Sequence, residues 1–282
     1  MKNRLNRSKG GTIALLIVIS LFAAIMALPL ILVIGNSFKP LHELWVFPPR
    51  LLPEDPTLKN YRDMLNVMSG SLVPFSKYIF NTVMITAIGT VGNIVCSSMC
   101  AFQLAKMKFP GRNAIFKLIV MTLMFNATVT AIPNYMIMSK LHMIDTYWAL
   151  IIPTFGSPLG LYLMKQFMEQ AIPDSLIEAA RIDGASMWTT YTRIVMPCVK
   201  PGWLTLILLS VQSLWNLGST TYIFSDDKKT LAYALTQITS GGIARAGVGT
   251  AVSVVMMSVP ILIFALTQSN IMETMSTSGM KE

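Results

Sequence analysis

The segment from Asp174 to Pro197 reads DSLIEAARIDGASMWTTYTRIVMP. It is a polar segment in the second half of an otherwise apolar chain. Ser175 and Glu178 have the Ser-x-x-Glu spacing of a capping box, which predicts the start of a helix. Gly184 stands where a helix that must stop and turn places a left-handed residue. Apolar and aromatic residues then recur at helical spacing up to the proline. The stretch therefore predicts two short amphipathic helices joined at a glycine.

The composition surrounding this stretch is that of a membrane protein. Of 282 residues, 53% are apolar and only 12% are charged, and the mean hydropathy is +0.58, which soluble domains do not reach. The net charge of +9 indicates membrane topology and attraction to anionic lipid headgroups, and no basic, aromatic-rich patch predicts nucleic-acid binding. The three cysteines, Cys96, Cys100 and Cys198, predict small apolar side chains and neither a disulfide nor a metal site.

Long uncharged runs predict the membrane spans, because a helix needs roughly 17 to 25 apolar residues to cross a bilayer. The chain is therefore predicted to be an all-α membrane protein with six transmembrane helices, at about 12–34, 78–105, 118–139, 146–164, 201–225 and 246–272. These spans form one transmembrane domain at 12–272, between tails at 1–11 and 273–282. Two shorter uncharged runs, 64–76 and 230–244, predict loops.

Basic residues predict the orientation of the spans. Lys2, Arg4, Arg7 and Lys9 precede the first span without any acidic residue, and such a positive flank stays in the cytosol. Both termini are then cytosolic. The same topology places residues 174–197 in the cytosol, between the fourth and fifth spans.

The stretch 174–197 resembles the EAA loop of permeases from bacterial ABC importers. The residues that match this loop are Glu178-Ala179-Ala180, Gly184, Ile194 and Met196-Pro197, with methionine where the family carries leucine. That exchange keeps the apolar volume. The resemblance extends to permeases for oligosaccharides through Thr146-Tyr147-Trp148-Ala149-Leu150 and Trp215-Asn216.

The resemblance implies a type I ABC-importer permease fold in the bacterial plasma membrane, with residues 174–197 as cytosolic coupling helices. The implied activity is import of an oligosaccharide by alternating access. Implied partners are a second, homologous permease, two ABC ATPase subunits and an extracytoplasmic solute-binding protein. ATP and Mg would be bound by the ATPase subunits, and this chain, which has no Gly-x4-Gly-Lys-Ser/Thr loop, needs no cofactor, metal or catalytic residue of its own.

The coupling helices are expected to sit in a groove on an ATPase subunit. The residues that the resemblance assigns to this contact are Glu178, Ala179, Ala180, Asp183, Gly184, Ile194 and Pro197. The alternative is a helical hairpin that rests on the lipid headgroups, as amphipathic stretches commonly do.

The predicted spans contain no ionisable side chain between their bounding charges, which disfavours a carrier driven by protons or ions. They do contain amides for hydrogen bonds to hydroxyls and aromatic rings for stacking on sugars. Candidates for the substrate path are Asn126, Tyr135, Trp148, Tyr162, Trp215 and Asn216. Interface anchoring and helix–helix packing are the alternative roles for these residues.

The predicted external loop after the fifth span contains Asp226, Asp227, Gly241 and Gly242. By resemblance these are candidates for contact with the binding protein, and a solvated connector is the alternative. For the whole chain, the alternatives are a permease of the same superfamily with a non-sugar cargo, such as a polyamine or phosphate, and a carrier or channel that does not use ATP. A protease is disfavoured, because the predicted topology leaves Ser186 without a histidine base.

Overall fold

The computed structural model describes residues 9–69, 73–218, 221–240 and 242–278, and within these ranges it contains helices and loops but no strand. The α-helices are α1 (Lys9–Ser37), α2 (Leu41–Leu44), α3 (Lys59–Ser69), α4 (Phe75–Lys106), α5 (Arg112–Thr122), α6 (Ala127–Lys140), α7 (Trp148–Phe155), α8 (Pro158–Ala171), α9 (Asp174–Ile182), α10 (Met187–Cys198), α11 (Lys200–Trp215), α12 (Leu231–Thr239) and α13 (Ala246–Ser278). Within α10, residues Thr190–Val195 are wound as a π-helix.

Three helices in the described ranges are long and apolar enough to cross a membrane: Gly10–Ser37, Phe75–Lys106 and Ile243–Gln268. They coincide with the predicted first, second and sixth spans. A fourth crossing is counted if α10 and α11, which meet at a bend of 78°, form one broken span. The all-helical membrane architecture is confirmed, whereas the count of six spans is not.

The predicted third and fourth spans are each divided into two helices. The third is interrupted between α5 and α6, where Asn126 caps α6 by accepting a hydrogen bond from the backbone N–H of Thr128. The fourth is interrupted between α7 and α8, where Ser157 accepts from the N–H of Gly160 and a proline follows it. A hydropathy run overlooks these breaks because capping residues are uncharged.

Three further boundaries differ from the prediction. The helix of the predicted fifth span, 201–225, ends at Trp215, so residues after it belong to a connection. The runs 64–76 and 230–244, predicted as loops, contain most of α3 and the whole of α12. Both helices are short and amphipathic, which is a pattern that the search for long apolar runs does not detect.

The chain folds as two units. Unit 1 comprises Met1–Ser71 and Leu235–Val255, and unit 2 comprises Leu72–Ala234 and Met256–Glu282. In unit 1, the connection between α1 and α3 is ordered by hydrogen bonds. The buried Asn60 side chain donates to the carbonyls of Ser37 and Lys39, at 2.9 and 2.8 Å.

In unit 2, α4 is the central helix and packs against α7, α8 and α11. It buries polar side chains along its length. Asn93 donates from Nδ2 to Ser210 Oγ of α11 at 2.8 Å, and its Oδ1 accepts from Ser97 Oγ at 2.8 Å. Gly160 of α8 lies against the side chains of Asn93 and Ser97. Small residues and satisfied polar groups of this kind hold membrane helices together at close range.

Candidate functional site

Helix α9 begins differently from the sequence prediction. Its N-cap is Pro173, which makes no side-chain cap bond, and Ser175 and Glu178 lie inside the helix and not in a capping box. The first turn instead contains Asp174, whose negative charge suits the positive end of the helix dipole. The expected cap was wrong, because the preceding proline fixes the entry of the chain and already ends the previous segment.

The turn after α9 is confirmed. Gly184 has a φ of +76°, and its N–H donates to the carbonyl of Arg181 while the N–H of Ala185 donates to the carbonyl of Ala180. This pair of bonds is a Schellman motif, which satisfies carbonyls at the end of a helix. Ser186 then starts α10, because its side chain accepts from the N–H of Thr189. The two helices form a hairpin, residues 174–198, which is named the coupling hairpin after the role that the resemblance predicts for it.

The inner face of the coupling hairpin is packed into unit 2. Ala180, Tyr191 and Val195 are buried. The hydroxyl of Tyr191 lies 2.6 Å from Ser98 Oγ of α4, and its ring is 5.8 Å from that of Phe102. Movement of the hairpin is thereby tied to α4.

An ion pair makes a second connection between the hairpin and α4. Lys106, at the end of α4, donates from Nζ to Asp174 Oδ1 at 2.8 Å, and its side chain is only 6% exposed. This hydrogen bond and the lysine charge hold the pKa of Asp174 below its ordinary value. The hairpin is therefore attached to α4 both at its beginning and through Tyr191.

The end of α4 is also joined to α5 and α8. Arg112 donates to the carbonyls of Ala105 and Met107, both at 3.3 Å. Glu169 of α8 accepts from Lys165 Nζ at 2.7 Å and lies 3.5 Å from the Arg112 guanidinium. The Arg112 hydrogen bonds satisfy carbonyls at the end of α4. Glu169 neutralises the charge of the buried Lys165.

The outer face of the coupling hairpin exposes large apolar side chains among charged ones, which include Glu178, Arg181 and Asp183. Ile182 is 86% exposed and Trp188 62% exposed, and Leu176 and Met187 are exposed as well. Of the residues assigned to coupling by resemblance, only Ala180 is buried and Ile194 is partly buried; Glu178, Ala179, Asp183, Gly184 and Pro197 are exposed. An apolar patch on an ordered element marks an interaction surface.

The candidates for the substrate path do not form one cluster. Tyr135 stacks on Tyr222 at 6.2 Å and Tyr162 on Phe116 at 6.1 Å. Trp148 is exposed at the start of α7, and Trp215 is buried and donates from Nε1 to the carbonyl of Met256 at 3.0 Å. Asn126 and Asn216 bond to backbone groups of their own helix ends. None of these contacts tests a role in transport, so that role stays a prediction.

Of the candidates for contact with the binding protein, Asp226 pairs with Lys229 at 2.6 Å and Asp227 with Lys77 at 3.4 Å. Gly242 is exposed with a φ of +73°, and Gly241 lies outside the described residues. Their role as a contact surface stays a prediction.

Asp145 organises this region, and sequence reasoning missed it. Its carboxylate accepts from the N–H groups of Phe224 and Ser225, from Ser225 Oγ and from Lys228 Nζ. The Ser225 hydrogen bonds, side chain first, lower the pKa of Asp145 far below its ordinary value. Its φ of +61° shows that it occupies a tight corner, which no periodicity reveals.

Unit 1 contains a group of possible cation ligands, since ligand atoms of His42, Glu43 and Asp55 lie within 4.8 Å of one another. Both carboxylate oxygens of Glu43 already accept backbone N–H bonds, from Glu54 at 3.1 Å and Asp55 at 3.0 Å. Burial acts to raise the pKa of Glu43, but these bonds together with the charges of His42 and Lys39 outweigh it, and the pKa is lowered. The cluster therefore orders a loop, and the expectation of no metal stays a prediction.

Comparison with known proteins identifies the family. Residues 93–274 match the family described as "Binding-protein-dependent transport system inner membrane component". The polygalacturonan/rhamnogalacturonan transport system permease YtcP of Bacillus subtilis is 32% identical over 73% of this chain and 70% of that protein. The sn-glycerol-3-phosphate transport system permease UgpE of Escherichia coli is 30% identical over 68% and 69%.

A solved structure supports the fold. A chain of a bacterial ABC transporter that imports the acidic polysaccharide alginate superposes with a TM-score of 0.76 at 23% identity, over 94% of this chain and 99% of that one. At that identity the likeness establishes the fold, and the sequence matches establish the kinship. This chain therefore belongs to the family of inner-membrane permease components of binding-protein-dependent ABC transporters.

Proposed function

We propose that this chain is the membrane-spanning subunit of an ATP-driven importer for an oligosaccharide, and that the coupling hairpin connects it to separate ATPase subunits. The observation that carries this proposal is that the hairpin is attached to α4 on its inner face and exposed on its outer face. Its inner face is fixed to α4 by Lys106 and Tyr191. Its outer face presents exposed Ile182 and Trp188, which fit an apolar groove on a partner.

The hairpin can transmit a push because it is stiff. The Schellman turn at Gly184 and the Ser186 cap satisfy the backbone groups between its two helices. When the two ATPase subunits close on ATP, their groove would displace the hairpin, and α4 would move with it. Alternating access follows if that displacement changes which side of the membrane the substrate path faces.

The remaining parts of the proposal follow from family membership and from charge. The family description supports an extracytoplasmic binding protein, and a second permease and two ATPases complete the assembly. ATP and Mg would be held by the ATPases, and this chain would contribute no catalytic group. Both termini would be cytosolic, because basic residues precede the first span.

The docking proposal is tested by charge substitution on the outer face. Ile182→Asp and Trp188→Asp, made separately, should leave the chain in the membrane but abolish both copurification of the ATPase and ATP-driven uptake, since a charge in an apolar interface is costly. Leu58→Asp is the matched control, because Leu58 is an exposed apolar residue outside the hairpin. This variant should retain both copurification of the ATPase and ATP-driven uptake. Normal uptake by both hairpin variants would reject the docking role.

The cargo is tested with the purified assembly and its binding protein. We expect ATP hydrolysis to rise when the binding protein is loaded with oligosaccharides of polygalacturonan or rhamnogalacturonan, the polymers named for YtcP. The second candidate is a phosphorylated polyol, because the similar permease UgpE is named for sn-glycerol-3-phosphate. Stimulation by that compound alone would replace the oligosaccharide assignment, and a chain that purifies without any ATPase would reject ATP coupling.

A further inference from the structure

A separate apolar surface lies in unit 1, in the connection between α2 and α3. Residues 45–52, here named the apolar tip, read WVFPPRLL. Phe47 is 92% exposed, Leu52 69% and Trp45 61%. Side chains of this size are rarely presented together to water, so the apolar tip requires a partner.

The exposure is built into an ordered fold. On one side of the tip, the buried Lys39 donates from Nζ to Asn36 Oδ1 at 2.7 Å and to the carbonyl of Arg50. On the other side, the N–H groups of Glu54 and Asp55 bond to the buried carboxylate of Glu43. Both ends of the tip are therefore held, and its apolar side chains are presented by a defined backbone.

The position of the tip along α1 indicates what the partner is. Gly35, in the last turns of α1, lies directly under the Leu51 backbone, because a Cβ on Gly35 would clash with the Leu51 carbonyl oxygen. The Leu51 end of the tip thus lies beside the end of α1.

The length of α1 relates this contact to the membrane. Gly10–Ser37 has 28 residues, or about 42 Å of helix, against roughly 30 Å for the hydrocarbon core. When α1 is centred in the bilayer, its end reaches the interfacial layer, and a segment folded against Gly35 lies at that level. The apolar part of α1 is itself exposed, which makes its surface available to lipid up to the level of the tip.

The charges around the tip fit the same layer. Within residues 45–52 the one charged side chain is Arg50, which pairs with Glu54. Tryptophan and arginine are favoured at the interface, where an apolar body and a polar end can both be satisfied. Charged residues resume immediately outside the tip, at Glu43 and Glu54.

From this geometry we propose that the apolar tip inserts into the interfacial layer of the leaflet in which α1 ends. It acts as a second, non-spanning membrane anchor that fixes the external connection of unit 1 against the bilayer. The proposal does not depend on the cargo or on the coupling role of the hairpin.

The test places spin labels by cysteine substitution in a chain whose three cysteines are replaced, reconstituted with its copurifying subunits in phosphatidylethanolamine and phosphatidylglycerol nanodiscs. Labels at Phe47 and Leu52 should collide with oxygen more often than with a water-soluble nickel chelate. Their ratio should lie below that of Ile17, exposed within the span of α1, and exceed several-fold that of Lys59, exposed at the start of α3.

Two outcomes would overturn the proposal. A ratio at Phe47 and Leu52 equal to that at Lys59 would place the tip in water. Protection of both labels from both reagents would instead assign the tip to a protein partner, either the second permease or the binding protein. A companion variant, Phe47→Asp, should lower the oxygen-to-nickel ratio of a label at Leu52 without changing the ratio at Ile17, because the charge weakens insertion of the tip alone.

Discussion

At the scale of single residues, Gly184 controls the coupling hairpin through its backbone. Its φ is +76°, and no heavy atom lies within 4 Å of the place where a Cβ would stand. Gly184→Ala should therefore destabilise the hairpin by about 1 kcal/mol from conformation alone, and Gly184→Asn by less. Hydrogen exchange of α9 and α10 amides measures the effect.

A second glycine provides the control, because it tests whether any glycine-to-alanine substitution would loosen the hairpin. Gly218 also has open space around it and does not adopt the left-handed conformation. Gly218→Ala should leave exchange in the hairpin unchanged. If Gly184→Ala exchanges at the wild-type rate, the left-handed turn is not what holds the hairpin.

Asp145 is a second residue whose substitution should have a large local effect, on the stability of the turn at 224–228. Asp145→Asn removes the charge from hydrogen bonds to Ser225 and Lys228, and it should destabilise the turn at 224–228 by about 2 kcal/mol. Exchange of the Phe224 and Ser225 amides should accelerate accordingly. The control is Asp227→Asn, whose exposed pair with Lys77 is worth little; an equal effect of both variants would contradict the anchoring role.

The same residue predicts how the turn responds to acid. The pKa of Asp145 is lowered by its hydrogen bonds, so its contribution is fully present above the ordinary aspartate value of about 4. It is lost only as the pH falls through the lower pKa of the folded state. Protection of the Ser225 amide, corrected for intrinsic exchange, should therefore be the same at pH 7 and pH 5. Loosening within that range would show that another group titrates.

These residues also mark how far single-sequence reasoning reaches. The left-handed turn at Gly184 was predictable, because only a glycine or asparagine suits that position after a helical run. The capping box at Ser175 and Glu178 was wrong, since spacing alone cannot show that Pro173 is the N-cap, two residues earlier. Asp145 was missed because its partners lie about 80 residues away along the chain.

At the scale of helices, close packing between α4 and α8 depends on Gly160. A Cβ there would stand 2.9 Å from both Asn93 Oδ1 and Ser97 Oγ, which are buried and hydrogen-bonded to each other. Gly160→Ala should therefore lower the melting temperature of the purified protein, with a cost of roughly 1 to 3 kcal/mol for overpacking.

Gly156 provides the control for that substitution. It lies about one turn before Gly160, in the break between α7 and α8, and its Cβ would meet only the Pro153 oxygen, at 4.0 Å. Gly156→Ala should leave the melting temperature nearly unchanged. If Gly160→Ala and Gly156→Ala have the same melting temperature, the contact between α4 and α8 is not as tight as the geometry requires.

Helices also show why hydropathy predicts some spans and misjudges others. Helices α1, α4 and α13 were located because each is one long apolar run. The predicted spans at 118–139 and 146–164 were broken instead by Asn126 and Ser157, whose uncharged side chains are capping groups as well as tolerable membrane residues. Packing decides whether such a residue caps or continues a helix, and the length of an uncharged run carries no information about packing.

At the scale of the whole molecule, unit 2 itself fixes which loops lie at opposite ends of a span. The turn that carries Asp226 and Asp227 meets the start of α4, where Lys77 lies 3.4 Å from Asp227. Lys108 follows the other end of α4, which has 32 residues and is therefore about 48 Å long. The structure sets this separation, and the distribution of basic residues predicts that Lys108 is the cytosolic end.

Cysteine labelling decides the orientation. In a chain without its three native cysteines, Asp226→Cys should react with a membrane-impermeant maleimide in intact cells, because that aspartate is exposed on the predicted external turn. Lys108→Cys, also exposed, should react only after the cells are permeabilised. The two positions serve as each other's control, since both lie in unit 2 at opposite ends of α4. The opposite labelling pattern would invert the topology and would place the coupling hairpin, attached to Lys106 at that same end of α4, on the side of the membrane where no ATPase could reach it.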